Sequence, residues 1–157
     1  FFVNNQFRII VDGSAAGSDN LENSFQQNLT RVGKMVAILD TWEEPVYLKR
    51  VWTVYEQFVA CSLQLPVEFV MPSRAMASLH SHINLGKPGL KKVTTSICNV
   101  HSEQAEAWDP RDEARVKSAI QDNVGFEKVN QHVRDALVKW IGLAVQKQFQ
   151  ELVDHAV

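Results

Sequence analysis

The chain has 157 residues, 45% of them hydrophobic and 22% charged, which suits one globular domain with a sizeable core and argues against two. Sixteen Lys and Arg against eighteen Asp and Glu leave a formal charge of −2, and no basic cluster interleaved with aromatics gives the footprint of a nucleic-acid binder. No apolar run has the length of a membrane span, and no basic segment followed by an apolar one and a cleavage site opens the chain.

Phe1 to Val3 and Phe7 to Val11 read as short β runs, closed by a Gly/Ser loop from Asp12 to Ser18. The chain opens on apolar, strand-like residues without an initiator Met, so a further strand is expected upstream of Phe1. Asp19 and Glu22 have the spacing of a capping box, and Leu21, Phe25, Leu29 and Val32 form a helical stripe that Gly33 is placed to stop. "MVAILD" (Met35 to Asp40) is a continuous apolar run of the kind found in strands covered on both faces.

Glu43, Glu44 and Pro45 suit the first turn of a helix, which should run from about Tyr47 to Leu63. "VEFVMP" after Pro66 reads as another strand. Strand, helix, strand, helix, strand in this order predicts βαβ crossovers. Met76, Leu79 and Ile83 fit a short helix, "NLGKPGLKK" a loop, and "SICNV" (Ser96 to Val100) a last strand. Asp109, Pro110 and Asp112 carry the chemistry of a helix start, with Gly125 as its stop. Phe126, Val129, Val133, Leu137, Trp140 and Ala144 then repeat at three and four, as in an amphipathic helix lying on a sheet. The sum is an α/β fold of the flavodoxin-like kind, an open and mostly parallel sheet with helices on both faces, lacking its first strand. It spans residues 1–145, with a helical extension over 146–157.

Cys61 and Cys98 sit in apolar surroundings without ligand spacing, and read as buried free thiols of a reducing, cytoplasmic compartment, with a disulfide as the alternative. His80 and His82 have no third partner for a metal, so no metal site is expected. "GKPG" lacks the spacing of a phosphate loop and reads as a surface turn. Ser24, His101 and Asp109 have no triad-like context. Trp42 and Trp108 are expected as packing or interface aromatics.

Glu56 is the residue the pattern leaves unexplained. On a helical wheel with Trp52 at zero, Leu48, Val51, Tyr55, Val59 and Leu63 form a broad apolar arc, and Glu56 lies about 40° from Trp52 at its margin. One reading is a boundary carboxylate paired with a cation. The other is a desolvated carboxylate at the lip of a cleft, with the raised pKa that suits acid–base or charge-stabilising work.

"PVYLKRVWTVYEQFVA" resembles the "S/R-x-W-C-x-x-E" helix of Toll/interleukin-receptor (TIR) domains, most closely a TIR-like family of single-celled eukaryotes. In that family an "NNQ" after an early strand, a "G-x-hydrophobic" strand, the Trp/Glu helix and a "D-x-x-x-I" helix follow in order. "FFVNNQ" (Phe1 to Gln6), "GKMVAILD", "YLKRVWTVYE" and "DEARVKSAI" (Asp112 to Ile120) are the matching stretches. The resemblance covers most of the chain and implies the flavodoxin-like fold with one of two roles. The first is a module for protein interaction or self-association, within a larger protein or assembly. The second is an NAD glycohydrolase that cleaves the nicotinamide–ribose bond, with Glu56 as its catalytic carboxylate and Asn4, Asn5 and Trp52 around the nucleotide. Thr53 stands where the family has Cys.

Overall fold

The computed structural model describes residues 21–97 and 99–155. The β runs expected before Asp12, the Asp19 cap, Asn4, Asn5 and Cys98 lie outside the described residues. The chain divides into two compact units, residues 1–33 and 34–157. In the first, α1 spans Leu21–Val32. Leu29 is buried, but Val32, expected on the same stripe, is 57% exposed. Gly33 ends the helix as expected: its φ of 75° is left-handed, and its N–H reaches Leu29 O at 2.9 Å.

In the second unit, β1 (Met35–Ile38) pairs in parallel with β2 (Val67–Val70), with Met35 opposite Val67 and Ala37 opposite Phe69. A strand alternates its faces, so Met35, Ala37 and Phe69 point into the core. Ala37 leaves room for the phenyl ring beside it. The expectation that "MVAILD" is covered on both faces is corrected: Val36 and Ile38 are each 49% exposed. The unit is thus α/β, with these two parallel strands as the sheet among the described residues.

The segment after β1 does not enter a helix at Tyr47. Val46–Lys49 forms a 3₁₀ turn, Arg50 is extended, and α2 runs Val51–Ser62. The cause is a tertiary pairing: Val51 N–H donates to Glu106 O at 2.9 Å, and Glu106 N–H donates to Lys49 O at 2.9 Å. That bridge needs an extended Arg50, which the α-helix forbids. Thr53 Oγ1 reaches the carbonyls of Tyr47 and Arg50, fastening the turn to the first turn of α2.

α2 is buried over most of its circumference, including Val51, Val54, Phe58, Ala60 and Gln57. The broad apolar arc centred on Trp52 is corrected in its centre and extent, since Trp52 is only half-buried and Gln57, outside that arc, is fully buried. α2 lies against the 3₁₀ turn, α5 (Pro110–Asn123) and α6 (Phe126–His155), which surround it with apolar side chains.

α3 (Ser73–Ile83) buries Leu79 and Ile83 as its spacing predicts. The loop expected over "NLGKPGLKK" and the strand expected over "SICNV" are both corrected. α4 occupies Lys87–Ile97, with Gly89, Val93 and Ile97 buried. Pro88 is tolerated because the first helical turn donates no intrahelical bonds there. Gly89 is required because α3 comes so close that a Cβ would lie 1.8 Å from His82 O. Gly86, with φ 71°, closes α3 just ahead. The residues that read as helix breakers thus build a tight αα corner.

α5 starts as expected. Asp109 caps it, accepting from Arg111 N at 2.9 Å, and Pro110 sits in its first turn. Gly125, with φ 77°, separates it from α6. α6 is the central element: Val129, Val133, Leu137, Ile141 and Ala144 are buried, and it packs against β2, α2, α3 and α4. It continues past position 145 as one unbroken 30-residue helix.

Candidate functional site

A cleft of about 430 Å³ opens at the carboxyl end of β1, where Leu39 forms part of its wall. Open α/β sheets place ligands at this end of the strands, because the connections there diverge. Trp42, Leu48, Ile97 and Leu137 give it apolar surface; Glu43, Glu44, Lys49, Asn99, His101 and Glu106 give it polar groups.

Glu43, Glu44 and Lys49 at the rim are engaged in ion pairs. Lys49 Nζ is 2.7 Å from Glu44 Oε2, and Lys92 Nζ is 3.1 Å from Glu43 Oε1. Trp42 is completely buried, its Nε1–H donates to Ser78 Oγ at 3.3 Å, and Lys92 lies over its ring at 5.6 Å. Trp42 is a packing residue, and Trp108 is fully exposed.

On the other wall, His101 is held between two acceptors, with Nδ1 3.1 Å from Glu103 Oε1 and Nε2 2.9 Å from Asn99 Oδ1. Glu103 is held in turn by α6, where Asn130 Nδ2 donates to its Oε2 at 3.1 Å. Burial alone would raise the Glu103 carboxyl, but the bonds from Asn130, its own backbone and His101 outweigh it and hold the group below the usual carboxylate range. The buried Asn130 also accepts from Ser102 N at 2.9 Å, so one side chain fixes the whole 99–103 segment. Sequence reasoning missed this cluster. Glu103 sits in a short 3₁₀ turn, Ser102–Gln104, and no periodic pattern in the sequence announces the cluster.

Glu56 is not among the residues that line the cleft. It is half-buried on α2, where Tyr47 closes over it: the phenol O–H donates to Glu56 Oε2 at 3.1 Å and accepts from Gln57 Nε2 at 3.0 Å. Burial raises the Glu56 carboxyl above its ordinary value, opposed by the Tyr47 hydrogen bond and by the Arg50 charge. Burial, and then the Glu56 charge, push the Tyr47 phenol far up.

Trp52, the other α2 candidate, also lies outside the cleft lining. Its ring meets Tyr55 edge-on at 6.0 Å and carries Arg115 at 5.5 Å. Asn4 and Asn5 lie outside the described residues, so the four candidates are not brought together among those described.

Among the described residues, the cleft shows no nucleophile set against a base. Ser96 Oγ is turned to Glu43 O, and His101 is bound on both nitrogens. His82 packs on Trp42 at 4.8 Å, and no group of three His, Cys, Asp or Glu among the described residues is placed to hold a metal ion. Cys61 is a buried free thiol. No helix among the described residues is long and apolar enough to cross a membrane.

Comparison with known proteins finds no matching family model, no matching curated protein and no matching solved structure.

Proposed function

We propose that this chain is a TIR-like interaction module of flavodoxin-like descent, one piece of a larger protein or assembly, which acts by binding protein rather than by transforming a small molecule. The observation that carries this reading is the closure of Tyr47 over Glu56. The carboxylate that the motif order marks for NAD cleavage is taken up by a phenol and stands outside the cleft. Exposed apolar side chains on α6, among them Val138, Leu143 and Phe149, offer surface for association.

The rival reading is an NAD glycohydrolase using Glu56, with Asn4, Asn5 and Trp52 around the nucleotide. It has one observation in its favour, the raised carboxyl of Glu56, which suits an acid or a charge stabiliser.

The two readings separate on incubation of the purified chain with NAD, comparing wild type with Glu56→Ala. An interaction module leaves NAD intact in both proteins and keeps its association state in the variant. Nicotinamide release by wild type, lost in Glu56→Ala, establishes the enzyme instead.

A further inference from the structure

His101 has an oxygen at each ring nitrogen, with Glu103 Oε1 3.1 Å from Nδ1 and Asn99 Oδ1 2.9 Å from Nε2. Two acceptors suit an imidazolium, which carries two N–H groups, but not a neutral ring, which carries one and turns a lone pair to the second oxygen. When the ring gives up a proton, one of the two contacts must therefore change its atoms.

The surroundings decide which contact changes. Glu103 accepts on both oxygens, since Oε2 is taken by Asn130 Nδ2 from α6. Its carboxyl, which burial alone would raise, is held below the usual carboxylate range by its hydrogen bonds, so it has no proton to offer a bare nitrogen. A charge-assisted bond to a carboxylate is also the stronger of the two, which keeps the ring proton on Nδ1. Asn99 differs in each respect. Its side chain is exposed, and its Nδ2 makes no hydrogen bond to a described residue. Half a turn about its last torsion exchanges an accepting oxygen for a donating NH₂ with little change of shape.

We propose that Asn99 sets the specificity of the cleft by turning its amide over as His101 gains or loses a proton, so that this wall offers an entering group a hydrogen-bond donor beside the charged ring and an acceptor beside the neutral one. Both residues line the cleft, and the end of the amide that His101 does not hold is left to what enters it. Carbonyl and other accepting groups suit the first state; amide N–H and hydroxyl groups suit the second. This goes beyond the interaction-module reading and does not depend on it.

The charged groups that share the cleft with the ring are Glu43, Glu44, Lys49 and Glu106, with Lys49 paired to Glu44 and Glu43 to Lys92. From α6, Asn130 meets the same segment, and Arg134, one turn on, is taken by Glu127 at 2.8 Å. None of these bonds a ring nitrogen, so the exchange falls on Asn99.

Nitrogen-15 NMR of the labelled chain through the titration of His101 tests the exchange. The expected result is a doubly protonated ring in acid, the Nδ1–H tautomer once the ring is neutral, and an Asn99 amide signal that moves in step with it. A neutral ring in the Nε2–H form, or an Asn99 signal that ignores the ring, overturns the proposal. For the cleft side, dimethyl sulfoxide, which only accepts, and pyrrole, which donates through its N–H, serve as uncharged probes, followed by the methyl signals of Leu48 and Leu137. Dimethyl sulfoxide is expected to bind more tightly to the charged-ring state and pyrrole to the neutral one, each by about twofold to tenfold, the span of one net hydrogen bond. Asn99→Leu should abolish both differences. Equal binding in the two states, no binding of either probe, or differences that survive Asn99→Leu overturn the role in specificity. Nicotinamide release from NAD bears on the reading of Glu56 alone and leaves these results as they stand.

Discussion

The Tyr47 hydroxyl stands 3.1 Å from Glu56 Oε2 and 3.0 Å from Gln57 Nε2, so a single phenol serves two polar side chains of α2 at once. Gln57 is completely buried and its Oε1 finds no partner, which leaves the Tyr47 bond as the contact that compensates its amide. Tyr47→Phe removes the donor to Glu56 and the acceptor for Gln57 without changing the ring. A buried polar group left unpaired costs about 1–3 kcal/mol, so the variant should unfold at lower urea concentration with its slope unchanged.

Glu56→Gln should act in the opposite direction at neutral pH. Because the native carboxyl is raised, the folded state holds its proton to higher pH than the unfolded chain does. Wild-type stability therefore falls as pH rises from the ordinary glutamate value through the raised native one. Glutamine carries no charge to desolvate and still accepts from the phenol. Melting curves of wild type and variant should lie furthest apart, with the variant higher, at neutral pH, and converge below the ordinary glutamate pKa. A gap that stays constant with pH would contradict the burial of this carboxyl.

Local signals carried the fold where helix chemistry was self-sufficient. The Asp109 cap, the Gly33 and Gly125 stops, the α3 stripe and the Val129 to Ala144 face of α6 are each decided within one or two turns. Tertiary contacts decided the rest. Arg50 is extended because Glu106 pairs with the backbone on either side of it, and nothing near Arg50 in the chain announces that partner. α4 was hidden by its Gly and Pro, whose role becomes clear only against the carbonyl of His82. At the site, the wheel placed Glu56 at the edge of a buried surface, but the lid that Tyr47 forms over it depends on the 3₁₀ turn. The His101 and Glu103 cluster was not legible, because it forms on a short 3₁₀ turn and the Asn130 bonds that hold it come from α6.

Gly89→Ala tests the αα corner. The added methyl would meet a backbone oxygen at 1.8 Å, which no rotamer change relieves, so α3 and α4 must move apart. Overpacking of this kind costs about 1–3 kcal/mol or more, against the slight gain that Ala brings to an open helix. Chemical denaturation of the variant should show that loss, and because α4 carries Ser96 and Ile97 into the cleft, the environment of Trp42 should change with it, seen as a shift in tryptophan emission.

Asn130→Ala should cost about 1–3 kcal/mol, because the buried Ser102 N–H and one Glu103 oxygen both lose their partner. Asn130→Asp keeps an acceptor for Ser102 but sets a second carboxylate beside Glu103. Its stability should therefore recover toward wild type on acidification, when one of the pair takes a proton. Thermal melts of the two variants between neutral and acidic pH distinguish these outcomes.

The central claim, that Glu56 is a packed carboxylate of an interaction module, is tested most directly by following nicotinamide release from NAD by NMR at high protein concentration over hours. With Tyr47 closed over Glu56, no nicotinamide is expected above the protein-free control. Steady release that vanishes in Glu56→Gln would contradict the claim and make Glu56 a catalytic residue.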